Sequence, residues 1–183
     1  MSFQTEFYVY GTQRQLGAHG TMPRVNASSP TPASAEQQIA ALISRFEEKH
    51  QKVFQAARKA VRERFPTANE LVYDYARNFV SGYSPTQAGG EGIAALSLDP
   101  DGVRFYLTHG AKLPDPHKLL RGKAGARYMT LDSDKDLLRP EVEALLVAAE
   151  KVAKVPLKAT GRGQLIMKPS TSQKKPRTKT AIR

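Results

Sequence analysis

The seventeen residues 112–128, KLPDPHKLLRGKAGARY, combine five basic side chains with two prolines, two glycines and one histidine. Asp115 and Pro116 can begin one helical turn, with Asp115 as the cap and Pro116 in the first helical position. Exposed amides at a glycine turn can bind an anion when cations converge on them. The side chains that would surround the turn at residues 122–125 are His117, Lys118, Arg121, Lys123 and Arg127.

The same segment can also be interpreted as a basic surface connection. Runs of charged residues usually lie in solvent, and glycines often serve only to allow a turn with positive φ. The GxxxxGK[ST] spacing of a phosphate-binding P-loop does not occur in the segment. The sequence therefore leaves both interpretations open, an anion site and a solvated loop.

Tyrosines form a second candidate site. In a strand over residues 70–76, Tyr73 and Tyr75 would point to one face and Asp74 to the other. Tyr106 lies on the polar side of a second strand, at residues 103–108. Tyrosine rings beside the basic segment can stack on a flat ligand, although tyrosines are also common in half-buried strands for packing alone.

No motif in the chain names a reaction. His109 and His117 flank the basic segment and could meet with Asp115 as a third group, but no HExxH-type metal spacing accompanies them. His19 and His50 lie elsewhere, in the N-terminal segment and on the apolar face of a helix. The sequence leaves open whether the chain is an enzyme but favours a protein that is not one, and it indicates no particular cofactor.

The net charge of +11 is concentrated at the C-terminal end. Residues 156–183 hold eight cations and no acid, whereas residues 33–155 hold 18 basic and 16 acidic groups. Cations without acids attract phosphate backbones by counterion release. We expect a disordered basic tail over 156–183 that contacts nucleic acid weakly and non-specifically, or that only keeps the chain soluble.

The absence of cysteine excludes disulfides and thiolate metal sites. No apolar run approaches the roughly 20 residues that a membrane-spanning helix needs, so no membrane contact is expected. The N-terminus lacks the basic and apolar regions of a secretory signal. Together these features predict a cytoplasmic protein.

The elements that must position these groups follow from apolar spacing. Ser34 and Gln37 form a capping-box pattern, and apolar residues then recur every three or four positions until Pro66, which predicts one continuous helix of about eight turns. Short strands follow, and the turn at residues 99–102 predicts a hairpin between strands 92–98 and 103–108. A closing helix begins at Pro140. The fold class is α+β, with an antiparallel sheet of four to six strands packed on a long N-terminal helix and a shorter C-terminal helix.

Several pieces of the chain resemble one known family. They are VYD at 72–74, GYSP at 82–85, GAKLPDPH at 110–117, LLRG at 119–122 and PEVEALL at 140–146. With these pieces, residues 38–154 closely resemble the YdhG-like bacterial domain of unknown function. The resemblance implies an antiparallel sheet with flanking helices. The family usually reads Gly-Ser-Gly-Lys where this chain has GKAG at 122–125, so the cation is displaced.

Some YdhG-like proteins are described as frataxin-like iron chaperones, and the resemblance implies iron delivery as an alternative function. That role needs exposed carboxylates, whereas the exposed face of the first helix is mainly basic. We expect a flexible arm over 1–32, a YdhG-like domain over 33–155 and the basic tail over 156–183. The expected function is non-enzymatic binding of a small anionic or phosphorylated ligand through residues 112–128, with iron delivery or nucleic-acid contact through the tail as alternatives.

Overall fold

The computed structural model describes residues 32–123 and 125–169. The helices are α1 (Pro32–Ile43), α2 (Glu48–Arg64) and α3 (Pro140–Val152), with short 3-10 turns at Gly89–Glu91, Gly110–Lys112 and Asp134–Leu138. The strands are β1 (Asn69–Asp74), β2 (Phe79–Ser84), β3 (Ala94–Asp99), β4 (Gly102–Leu107), β5 (Arg127–Leu131) and β6 (Leu165–Met167). Of the predicted arm over 1–32, residues 1–31 lie outside the described residues, and Pro32 begins α1. None of the described helices is long and apolar enough to cross a membrane.

The six strands form one sheet in the order β5-β4-β3-β2-β1-β6. All neighbouring strands are antiparallel except β6, which runs parallel to β1. The predicted hairpin is confirmed, because β3 and β4 pair with Asp99 opposite Gly102. Gly102 has a φ of +137°, a conformation that a residue with a Cβ rarely adopts. The predicted α+β class is therefore confirmed.

The predicted long N-terminal helix is divided into two. The chain turns at residues 44–47, between α1 and α2, and α1 begins two residues before Ser34. The Arg45 guanidinium forms an ion pair with Asp74 at 2.7 Å and donates to the Tyr75 carbonyl at 2.9 Å. The Gln51 amide donates to the Phe46 carbonyl at 2.7 Å. The Arg45 contacts hold the turn against the end of β1, and the Gln51 hydrogen bond joins the turn to α2.

The core lies between the helices and one face of the sheet. Val103, Phe105 and Leu107 of β4 are buried on that face, as their alternation predicts. Phe54 of α2 meets Phe79 of β2 edge to face, with 5.5 Å between the ring centroids. The predicted apolar stripe of α3 is also buried, at Val142, Leu145, Leu146 and Ala149. Burial of these stripes supplies the main driving force for the fold.

The segment predicted as a disordered tail from residue 156 contains strand β6. The Glu70 N–H donates to the Gln164 carbonyl at 2.8 Å, and the Lys168 N–H donates to the Val72 carbonyl at 2.8 Å. Gly163 passes so close to β1 that an added Cβ would lie 1.7 Å from the Ala68 carbonyl oxygen. Residues 165–167 therefore complete the sheet, and the prediction of disorder is corrected for the described part of this segment. Residues 170–183 lie outside the described residues.

Candidate functional site

Arg121 extends the sheet beyond β5. Its N–H donates to the Tyr128 carbonyl at 2.7 Å, and the Tyr128 N–H donates back to the Arg121 carbonyl at 3.0 Å. Tyr128 in turn faces Tyr106 across β4 and β5. Directly opposite residues of an antiparallel pair carry their side chains on the same face. The bridge therefore places Arg121, Tyr128 and Tyr106 in one row on the sheet face opposite the helices.

We refer to this surface as the open face, and two rows of residues define it. The first row is Arg121, Tyr128, Tyr106, Ala95, Gly82, Leu71. The second row is Thr130, Arg104, Ser97, Val80, Tyr73. The tyrosines of both rows are half-buried, and Arg121 is exposed.

The rings of Tyr106 and Tyr128 form one aromatic surface. Their centroids are 5.2 Å apart and their planes are inclined by 38°. The Arg104 guanidinium lies 5.6 Å from the Tyr128 ring centroid and is held by Asp99 at 2.5 Å. Asp99 balances the charge of Arg104, so Arg104 adds no net positive charge beside the two tyrosine rings.

Arg121 and Lys123 supply that charge. Within the residues that the structure describes, no carboxylate lies at ion-pair distance from either side chain. Gly122, between them, has a φ of +101° and runs beside the Tyr128 ring, where an added Cβ would lie 3.7 Å from two ring carbons. The glycine turn thus brings two unpaired cations to the edge of the aromatic surface.

The start of the basic segment forms a capped turn without a helix. Both Asp115 carboxylate oxygens accept backbone hydrogen bonds, from the N–H groups of Leu119 and Leu120, each at 2.9 Å. Lys118 has a positive φ of 53° in this turn. Leu120 is buried and anchors the segment to the core. The expected helical turn with Asp115 as its cap is absent from residues 115–120, and Asp115 instead closes a non-helical turn.

The structure separates the remaining residues of the predicted site. His117 and Lys118 are exposed, and no described contact joins them to the tyrosines. Arg127 faces Leu107 and so lies on the helix side of the sheet, where its buried Nε has no hydrogen-bond partner. Tyr73 shares the open face but lies three strands away from Tyr106. The described residues contain no group of three His, Asp or Glu side chains that could hold a metal ion.

A buried ionic cluster on the helix side was missed by the sequence analysis. Arg58 donates to Glu70 at 2.5 and 2.9 Å and to Glu36 at 2.6 and 2.9 Å. Glu70 also accepts a hydrogen bond from Ser81 and lies 3.6 Å from Arg62. The spacing of Arg58, four residues after Phe54 and three before Val61, already places it on the apolar stripe of the helix.

The pKa values in this cluster reflect its burial and its pairing. Burial alone would lower the pKa of Arg58, but its hydrogen bonds to Glu36 and Glu70 outweigh that effect and raise it. Hydrogen bonding to Arg58 lowers the pKa of Glu36 below its usual 4.5. Burial raises the pKa of the Tyr83 hydroxyl. A cavity of about 600 Å³ adjoins the cluster. Two arginines and two glutamates balance one another here, so the cluster joins α1, α2 and β1 without leaving an unpaired buried charge.

No model of a known protein family matches this chain, and comparisons with curated proteins and with solved structures give no significant match. The YdhG-like resemblance therefore stays an expectation.

Proposed function

We propose that the chain is a binding module for a phosphorylated ligand that carries a flat ring, such as a nucleotide. The ring stacks on the surface formed by Tyr106 and Tyr128, and the phosphate contacts Arg121. The observation that carries the proposal is the bridge between Arg121 and Tyr128, which puts a guanidinium group in the same row as two tyrosine rings. The activity proposed is binding without catalysis.

The chemistry of these side chains suits the two halves of such a ligand. An arginine presents a planar fork of donors that matches phosphate oxygens, and a charge-assisted hydrogen bond is about twice as strong as a neutral one. Stacking of a base on an aromatic side chain contributes about 1–3 kcal/mol and does not require a particular base. Lys123, at the same turn, adds a second cation near the phosphate position.

The site is also held in shape before any ligand arrives. The two backbone hydrogen bonds of the bridge fix Arg121 against β5, and Leu120 next to it is buried in the core. Gly110 packs against the start of β5, where an added Cβ would lie 2.8 Å from the Arg127 nitrogen. A preformed site loses less conformational entropy on binding, so its contacts contribute more to affinity.

The proposal can be tested with ligands that separate the ring from the phosphate. Adenosine monophosphate, adenosine and ribose 5-phosphate would be titrated into the full chain, with tyrosine emission as the signal because the protein has no tryptophan. The nucleotide should bind more tightly than either half. Arg121→Ala should weaken nucleotide binding by about tenfold or more, since a hydrogen bond to a charged group contributes about 1.5–3 kcal/mol.

Matched variants complete the design. Tyr128→Leu should weaken binding of the nucleotide and of adenosine, but not of ribose 5-phosphate. Lys154→Ala removes an exposed cation just after α3 and should leave every affinity unchanged. Equal nucleotide affinity for Arg121→Ala and the unaltered chain would overturn the proposal, as would a failure of the nucleotide to bind at all.

Among the residues that the structure describes, no contact supports either of the two alternative functions. Iron delivery would need a cluster of several carboxylates, and the described residues contain no such cluster. Nucleic-acid contact through the tail concerns residues 170–183, outside the described part of the chain, and residues 156–169, which partly join the sheet.

A further inference from the structure

A second pair of tyrosines lies at the other side of the open face. The rings of Tyr73 and Tyr75 are stacked, with centroids 6.0 Å apart and planes within 5° of parallel. Tyr73 belongs to the same row as Val80, Ser97 and Arg104. Both tyrosines are partly exposed. Burial raises the pKa of the Tyr73 hydroxyl, so this ring stays neutral at physiological pH. The open face therefore carries one aromatic surface on β4 and β5 and another at β1.

The surface between the two tyrosine pairs is made of small side chains. Ala95 and Gly82 follow Tyr106 in the first row, whereas Ser97 and Val80 lead to Tyr73 in the second, where Ser97 is buried and accepts a hydrogen bond from Asn78. Neighbouring strands lie about 4.8 Å apart, so the three steps from β4 to β1 amount to about 14 Å. The short side chains of Ala95 and Gly82 leave room for a chain-like ligand to cross this distance while it contacts both aromatic surfaces.

Basic side chains occur on both sides of this path. Arg121 lies beyond Tyr128, and Arg77 lies in the turn between β1 and β2. Arg77 lines a cavity of about 200 Å³ together with Ser97, Arg104 and Tyr106. The acids at that cavity, Asp99 and Asp101, are both within ion-pair distance of Arg104. The two arginines and two carboxylates of this cavity balance one another, so the net positive charge along the path comes from Arg121 and Lys123, and it complements a phosphate backbone.

We propose that the open face binds a segment of single-stranded nucleic acid, with one base stacked on each tyrosine pair. Arg121 and Arg77 contact the phosphates on either side. A stacked strand advances about 3.4 Å per nucleotide, so 14 Å accommodates about four stacked nucleotides and fewer extended ones. Bases inside a duplex are not free to stack on a protein ring, so the proposal is restricted to single strands. It depends on the proposed function, because Tyr106, Tyr128 and Arg121 form half of the path.

The test uses a fluorescein-labelled octathymidylate and the full chain, with fluorescence anisotropy as the signal at physiological salt. The octamer should bind more tightly than adenosine monophosphate, because it reaches both tyrosine pairs. Tyr73→Ala should weaken octamer binding by about tenfold or more, and Tyr73→Phe should restore it, since stacking needs the ring and not the hydroxyl. Tyr73→Ala should leave binding of adenosine monophosphate unchanged, which also shows that the variant is folded.

Two results would overturn this inference while leaving the proposed function intact. One is an octamer affinity that Tyr73→Ala does not change. The other is equal binding of the octamer and of a duplex of the same length, which would indicate purely electrostatic attraction. If adenosine monophosphate itself fails to bind, the proposed function fails first, and the inference fails with it.

Discussion

Arg58 and Glu70 form a two-point ion pair inside the protein, with Nε to Oε1 at 2.5 Å and a second bond at 2.9 Å. Arg58 is only 9% exposed and Glu70 only 3%. Each belongs to a different element, α2 or β1, and Glu36 of α1 joins them through Arg58. The pair therefore connects both N-terminal helices to the sheet, and its removal would leave a buried carboxylate without its main partner.

We expect Arg58→Ala to lower the free energy of unfolding by about 3–5 kcal/mol, because breaking one half of a buried pair leaves the other charge uncompensated. Urea unfolding followed by circular dichroism measures the change. Lys59→Ala removes the next basic residue of the same helix and should change stability by less than about 0.5 kcal/mol. Similar losses for the two variants would show that the buried pair contributes little.

The stability of the protein should also depend on the ionisation of Glu36. Its pKa is lowered in the folded state, chiefly by the hydrogen bond from Arg58, so its ionised form favours folding at any pH above its usual 4.5. That contribution is lost as the pH falls through the lower, folded-state pKa. Glu36→Gln should therefore be less stable than the unaltered chain at pH 7 and should lose less stability on acidification to about pH 3. The urea concentration at the midpoint of unfolding, measured for both proteins at the two pH values, tests this. Equal losses of stability in the two proteins would contradict it.

Strand β6 should be required to protect the edge of the sheet at β1. A chain that ends at residue 155 would leave the N–H and carbonyl groups of that edge unpaired, and such an edge promotes association between chains. We expect this chain to melt at a lower temperature and to form aggregates that increase with concentration, whereas a chain that ends at residue 169 should behave as the full protein does. Light scattering during a thermal melt compares them. Equal behaviour would show that β6 is dispensable.

Gly163 should tolerate no larger residue. A Cβ there would lie 1.7 Å from the Ala68 carbonyl oxygen, and this backbone atom can move only if the end of α2 or the start of β1 moves with it. Gly163→Ala should therefore lower the melting temperature, by several degrees if the cost exceeds about 1 kcal/mol. Gly90→Ala, which meets no atom within 4 Å, serves as the control. A melting temperature for Gly163→Ala that matches the control would show that β6 can shift without cost.

The fold was largely predictable because its signals are local. Alternating Val103, Phe105 and Leu107 indicated a strand with one buried face, and the turn at 99–102 fixed the hairpin. The break at 44–47 was not predictable, because no proline or glycine occurs there and the bonds that hold it come from β1, thirty residues later. Strand β6 was missed for a similar reason: three residues in a basic segment become a strand only because the edge of β1 is available.

The candidate site was predictable in its parts and not in its arrangement. Composition pointed to the cations of residues 112–128 and to tyrosines in strands. The separation of Arg127 from Arg121 follows from which face of the sheet each occupies, and that depends on the register of β4, β5 and the bridge at Arg121. No tight turn joins β4 to β5, so nothing local in the sequence fixes this register.

The parallel pairing of β6 with β1 also determines when the sheet can be completed during synthesis of the chain. The two strands are separated along the chain by β2 to β5 and α3, so β6 is synthesised long after β1. At about 5–20 residues per second, the ribosome needs about 5–20 s to pass from the first strand to the last. Throughout that interval the nascent protein presents an unpaired strand edge, and the cell must keep it from meeting a second copy until the final strand emerges.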